Sequence, residues 1–227
     1  MSNKEVLVLQ NIKHGYSQTG GSFAVLDNVN LSLRQGEMVA LIAPSGTGKS
    51  TILHIAGLLE VADQGNVVID GQLCYDLTDD QKSLLRCHNI GFVYQAHRLL
   101  ADFSVIENVM FPQMIAGVSR RIAGQRAMEV LDYMGISKYS QRRVTDISGG
   151  EQQRVAICRA IVNNPLILLA DEPTGNLDPK TAIQVLGVLK DSVSHLGLAT
   201  LIATHNHDLA SQMDRQMTIQ DGKLVDL

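Results

Sequence analysis

Ala43-Pro44-Ser45-Gly46-Thr47-Gly48-Lys49-Ser50-Thr51 follows the apolar run Met38–Ile42 and precedes a helical pattern carrying Ile52, Leu53, Ala56 and Leu59. A strand, a glycine-containing turn and a helix in that order turn backbone N–H groups inward at the positive end of a helix dipole. Such a loop cradles the β- and γ-phosphates of a nucleotide, with Lys49 as a point charge on them and Ser50 holding Mg²⁺. Ser45, Gly46, Thr47, Gly48 and Thr51 complete the cradle. The first glycine of the strict G-x-x-x-x-G-K-S/T pattern is Ala43 here. Alanine is tolerated at a strand end if φ is negative, whereas a positive φ costs a non-glycine residue roughly 1–2 kcal/mol. The motif therefore predicts a negative φ at Ala43. A glycine-rich strand-to-helix turn without nucleotide is the competing structural reading.

Outward from this loop, short aliphatic or β-branched runs alternate with longer helical patterns, which predicts an α/β domain with a mainly parallel sheet. The expected strands are 6–9, 31–33, 38–42, 67–69, 90–94, 166–170, 199–203 and 217–219. Several are continuous apolar runs, as expected when helices cover both faces of a strand, and 38–42, 166–170 and 199–203 are expected at the centre. Between 96 and 147 strand signals vanish and stretches such as 122–134 take over, so a helical subdomain is expected there, within a single domain whose core is 1–95 and 148–227.

Three further segments sit where ligands meet such a sheet. The run Leu166–Ala170 ends in Asp171-Glu172, at the carboxyl end of a buried strand. Adjacent residues on a pleated strand point to different sides, so Asp171 is expected toward the Mg²⁺ shell and Glu172 toward the attacking water as general base. An ordinary strand-end turn before Pro173 explains the pair equally well when it is taken alone. His205 follows the strand at 199–203 and is placed to meet the γ-phosphate or the water. A zinc reading of His205 and His207 fails on spacing, because two positions apart on a loop matches no common zinc pattern.

Asp178-Pro179 reads as an N-cap and first helical residue, opening a helix with an apolar face at Ala182, Leu186, Leu189, Val193 and Leu196. Ser148-Gly149-Gly150-Glu151 begins another helix and forms either a second anion-binding nest or simply a capped N-terminus with Glu151 in its first turn.

Composition bounds the rest. The 227 residues are 45% hydrophobic and 19% charged, enough to bury a sizeable core and too ordered in composition for a disordered chain. A mean hydropathy of +0.05 and apolar runs well short of the roughly 20 residues of a membrane-crossing helix speak against spans. Met1-Ser2-Asn3-Lys4-Glu5 has no apolar leader segment, so a cytosolic protein is expected. A net charge of −4 gives no general attraction to nucleic acid. Cys74, Cys87 and Cys158 are odd in number and lack a C-x-x-C pair, so free thiols are expected, with Cys158 as a small core residue.

Together these segments resemble the nucleotide-binding subunit of ATP-binding cassette (ABC) transporters over essentially the whole chain, and the motifs occur in family order. The resemblance makes Gln95 the Q-loop glutamine, which reaches the metal, and Ser148-Gly149-Gly150-Glu151 the signature. Asp171-Glu172 becomes Walker B, Asn176-Leu177-Asp178 the D-loop, His205 the switch histidine and Tyr16 the aromatic that stacks on adenine. It implies a P-loop NTPase fold with a mainly parallel central sheet, an N-terminal antiparallel β subdomain and an inserted helical subdomain. The signature departs from the commonest form at Ile147 and Glu151, and neither change removes the serine or the glycines.

What the family implies is an ATPase using ATP and Mg²⁺, with half of each site on each chain of a head-to-tail dimer. ATP at Lys49 of one copy is completed by Ser148 and Gly150 of the other. Separate permease subunits hold the chain at the cytoplasmic face of the bacterial inner membrane, with no direct cargo contact. The segment from Phe92-Val93-Tyr94-Gln95 through Glu107-Asn108-Val109 and the Gly-Asn-Leu-Asp D-loop are similar to the branch serving lipoprotein release. That branch also holds macrolide-type exporters and a cell-division complex that signals without transport, the alternative readings. Soluble relatives that act on DNA carry long coiled-coil or zinc-bearing insertions between the Walker motifs, which this chain lacks.

Overall fold

A computed structural model describes residues 4–18 and 21–227; Met1–Asn3, part of the segment read above for a leader, lies outside the described residues. The parallel sheet is built from β3 (Met38–Ile42), β6 (Ile90–Val93), β7 (Ile167–Asp171), β8 (Ala199–Thr204) and β9 (Arg215–Gln220). Strand β10 (Lys223–Asp226) joins antiparallel, giving the order β10-β9-β3-β8-β7-β6. The three strands expected at the centre are there, side by side, as β3, β8 and β7.

The pleat explains why these runs are continuously apolar. Met38, Ala40 and Ile42 enter one core with Leu168, Ala170 and Ile202, while Val39, Leu41 and Ala43 enter a second with Ile167, Leu169, Leu201 and Ala203. The first core is closed by α3 (Val105–Ile115), α4 (Arg120–Tyr133), α5 (Gly149–Ile161) and α6 (Pro179–Leu196). The second is closed by α1 (Lys49–Ala56) and by an antiparallel sheet of β1 (Glu5–Gln18), β2 (Gly21–Arg34), β4 (Gln64–Ile69) and β5 (Gln72–Leu73). The order in that sheet is β2-β1-β4-β5. Helix α1 is therefore enclosed by two sheets. Ile52 and Leu53 are fully buried, each contributing about 1.5–3 kcal/mol of hydrophobic stabilisation.

The strands expected at 6–9 and 31–33 are much longer in the structure. Residues 10–16 are mostly polar, and the short apolar run at 23–26 is cut off from 31–33 by Asp27, Asn28 and Asn30, so the full length of the pair follows from the β1–β2 ladder and not from composition. Residues 96–147 hold α3, α4 and two short 3₁₀ turns, and among the described residues only an isolated bridge between Ser104 and Arg143 adds strand-like pairing. Helices α2 (Asp79–Asn89) and α3 start at Thr78 and Ser104, each in a reciprocal capping box with Gln81 or Glu107 three residues on. Cys158 is fully buried and its thiol pushed up by burial, and all three cysteines are free.

Candidate active site

Parallel pairing puts the ends of four strands at one edge of the sheet. Ile42 lies beside Thr204, Asp171 beside Ala203, and Val93 beside Ala170. The phosphate loop, His205, Asp171-Glu172 and Gln95 leave from these ends in turn. A cleft of about 460 Å³ is lined by Tyr16, Ser45, Gly46, Gly48, Lys49, Ser50, Thr51, Gln95, Asp171 and Glu172, while Thr47 and His205 lie outside its lining, His205 reaching it only through Glu172.

Within the loop, Gly48 has φ +107, a conformation open to glycine, and a Cβ there would come within 2.8 Å of Val25 Cγ1. Ala43 is absent from the positive-φ residues, as the motif predicts. The Thr47 hydroxyl donates to the Pro44 carbonyl at 2.8 Å, bracing the turn. Lys49 is only 6% exposed, and its Nζ donates to the carbonyls of Ala43 and Pro44. The buried ammonium is thus satisfied by its own loop.

The Ser50 hydroxyl donates to Asp171 Oδ2 at 2.8 Å. Hard oxygens from a hydroxyl and a carboxylate suit Mg²⁺, which takes few protein ligands and completes its octahedron with water and phosphate oxygens. Among the described residues no three His, Cys, Asp or Glu side chains group as a metal-binding set. The donor set fits a cation shared with a nucleotide and not one caged by protein alone.

Glu172 departs from the pleat argument. Strand β7 ends at Asp171, and Glu172 has φ +46, the left-handed region that costs a residue with a Cβ about 1–2 kcal/mol. The turn is held by Glu172 N–H to Ala203 O at 2.9 Å and by Gly175 N–H to Glu172 O at 3.0 Å. Its carboxylate is aimed by this turn, and Oε1 lies 2.9 Å from His205 Nδ1. With Glu172 ionised the shared hydrogen resides on Nδ1, leaving Nε2 of the exposed histidine for another partner.

Gln95 and Asn176 clasp each other: Gln95 Nε2 donates to Asn176 Oδ1 at 3.2 Å and Asn176 Nδ2 to Gln95 O at 3.1 Å. The Gln95 amide lines the cleft while bonded to the segment that leads to Asp178. Tyr16 forms part of the wall, its hydroxyl 3.2 Å from Thr51 Oγ1.

The remaining expected residues lie elsewhere. Ser148, Gly149, Gly150, Glu151 and Asp178 do not line the cleft. Ser148 N–H and Oγ both donate to Glu151 Oε2 at 2.8 Å, so α5 has the capped start that was one of the two readings. Burial pushes the Glu151 carboxyl up, but hydrogen bonds from Tyr139 and Ser148 and the Arg154 charge outweigh it and hold it below its ordinary value. Asp178 caps α6 through Thr181 N–H at 3.1 Å, and its hydrogen bonds to Thr181 are the main cause of its lowered carboxyl. Phe23 and Val25 line the cleft and were not legible in the sequence. Phe23 arrives by pairing with Tyr16 across an irregular ladder, a register no local pattern encodes.

The chain matches a family model described as ABC transporter over residues 26–175. It is 51% identical over 222 residues to a lipoprotein-releasing system ATP-binding protein, LolD 2, of Rhodopseudomonas palustris, covering 98% of this chain and 96% of that protein. LolD 1 of Rhodospirillum rubrum is 52% identical over 219 residues, covering 96% and 97%. Among solved structures, the dimeric bacterial ABC transporter cassette MJ0796 superposes with a TM-score of 0.88 at 36% identity, covering 96% of each chain. The same cassette in a dimeric post-hydrolysis state with ADP and Pi gives 0.89 at 35% identity over 97% of each.

Proposed function

The chain belongs to the ABC transporter family, and from that premise we propose that it is the ATP-hydrolysing subunit of a lipoprotein-releasing transporter of a bacterial inner membrane. One observation carries the chemistry: the Ser50–Asp171 and Glu172–His205 hydrogen bonds bring together residues that follow β3, β7 and β8 beside the buried Lys49.

In this reading Lys49 Nζ leaves the carbonyls of Ala43 and Pro44 for the β- and γ-phosphates, and the loop amides take the remaining oxygens. Ser50 and Asp171 would hold Mg²⁺, with Gln95 beside them, and the bound cation would supply positive charge to offset that of the phosphates. Glu172 accepts a proton from a water whose oxygen bonds to the γ-phosphorus as the bond to the bridging oxygen breaks and ADP leaves. His205, oriented through Nδ1, presents Nε2 to the γ-phosphate.

Ser148, Gly149, Gly150 and Glu151 start a helix away from this cleft, which supports a head-to-tail dimer in which the second copy supplies them across ATP. The similar cassette MJ0796 is dimeric, which supports self-association of two copies. Among the described residues no helix is long and apolar enough to cross a membrane, and the chain is read as docking on separate permease subunits at the cytoplasmic face. Cargo stays on the permease.

The test is purification of tagged chain from gently solubilised native membranes, with co-purifying proteins identified by mass spectrometry. The isolated complex is then assayed for ATP-driven lipoprotein release. A permease with a large periplasmic domain and release that stops with Glu172→Gln are the expected results. Partners confined to the division site, or complexes that hydrolyse ATP without releasing lipoprotein, would overturn the transport reading while leaving the ATP chemistry intact.

A further inference from the structure

The β1–β2 ladder shifts register on both sides of His14, immediately before Tyr16. The strand is fixed there from another direction, by the turn that follows α1. Asp63 N–H donates to Lys13 O at 2.9 Å, and Asp63 Oδ2 accepts Gly15 N–H at 2.9 Å. His14 lies in the grip of the same turn, only 8% exposed. Its Nε2 is 3.1 Å from Glu60 Oε1, and its buried Nδ1 faces Asp63 Oδ2 at 3.6 Å without a hydrogen-bond partner. The imidazole meets the Tyr16 ring edge to face, with centroids 4.9 Å apart. Tyr16 is thereby held at its hydroxyl by Thr51 on the phosphate-loop helix, with Glu60 also beside it, and at its ring by His14. Yet it is 40% exposed toward the cleft, the disposition of a platform and not of a core residue.

We propose that His14, held by Glu60 and Asp63, is a positioning residue that sets the Tyr16 ring as the platform for the nucleotide base. The inference rests on the reading of Tyr16 as the base-contacting residue. A buried imidazole hydrogen-bonded at Nε2 to a carboxylate is fixed at that end, and an edge-to-face contact passes its orientation to the aromatic neighbour. The brace therefore acts mainly on the base, because the phosphates meet Lys49 and the loop amides, which His14, Glu60 and Asp63 do not touch, and only the Tyr16–Thr51 bond links it to the loop.

Isothermal titration of the full chain with Mg-ATP and with Mg-tripolyphosphate, which has phosphates and no base, separates the two. His14→Ala and Glu60→Ala are expected to weaken ATP about 2- to 10-fold, the range of one aromatic contact, and to leave tripolyphosphate binding in place. Glu60→Gln, which keeps an oxygen for His14, is expected to restore most of the loss. Because Glu60 also meets Tyr16 directly, His14→Gln, which keeps an amide donor for Glu60 and removes the ring contact, keeps the test open if His14→Ala fails to fold and is expected to weaken ATP likewise. Equal weakening of both ligands, no weakening of ATP, or failure of Glu60→Gln to restore it would overturn the brace. Tyr16→Ala is the control: if it leaves the ATP-to-tripolyphosphate ratio unchanged, the reading of Tyr16 fails. If it lowers the ratio and the His14 and Glu60 variants do not, the brace alone fails.

Discussion

Gly150→Ala tests how the start of α5 is fitted against α6. Gly150 is buried in the first turn of α5, and a Cβ there would stand 2.3 Å from Thr181 Cγ2. That is about 1.2 Å inside the ~3.5 Å edge of carbon–carbon contact. Overpacking of this kind costs about 1–3 kcal/mol, and alanine's better helix propensity offsets at most ~1 kcal/mol, leaving a net loss near ~1 kcal/mol. Thr181→Ser removes the clashing methyl while keeping the backbone N–H that Asp178 caps, and the next Thr181 atom is 3.8 Å away, an ordinary contact. In a chain that already carries Thr181→Ser, Gly150→Ala should therefore change sign and stabilise. The chain has no tryptophan, so urea unfolding is followed by circular dichroism of the helices. With a slope of about 2 kcal/mol/M, the midpoint should fall by about 0.5 M when Thr181 is retained and rise by up to ~0.5 M when Thr181→Ser is present. The same shift in both backgrounds, or a gain with Thr181 retained, would refute the contact as the cause.

Further outcomes follow from the site. Glu172→Gln keeps the shape of the turn and removes the base, so ATP should still bind and a stable dimer form while phosphate release drops at least about 100-fold; unchanged turnover would sink the assigned role. Ala43→Gly should leave nucleotide affinity within about twofold, because φ is already negative, and lower stability by about 0.5–1 kcal/mol through added chain entropy, both read by titration and unfolding. Glu151 has a depressed carboxyl, so its share of stability is present above the ordinary glutamate value near ~4.3 and is lost as pH falls through its lower folded value. Glu151→Gln should accordingly flatten the acid side of the stability profile, and an unaltered profile would remove the capping box as a source of that dependence.

Much of this molecule is set by spacing along the chain. The phosphate loop, the caps at Asp178 and Ser148, and the apolar runs that become β3, β7 and β8 each act within a turn or a pleat, so neighbours in sequence reveal them. A parallel sheet then places its strand ends together, which is why Lys49, Asp171, Glu172 and His205 could be assigned to one edge before their positions were known. Tertiary structure decided the rest. The left-handed turn at Glu172 is fixed by Ala203 on a neighbouring strand, not by the pleat of its own. That the start of α5 lies outside the cleft, packed against Thr181 at the start of α6, is likewise a product of tertiary packing. The pairing of Tyr16 with Phe23, and the hold of Glu60 on a histidine 46 residues away, come from an irregular ladder and a packed turn. Local chemistry carries its own signature because its forces act between near neighbours, whereas these contacts exist only once two cores have closed around one sheet.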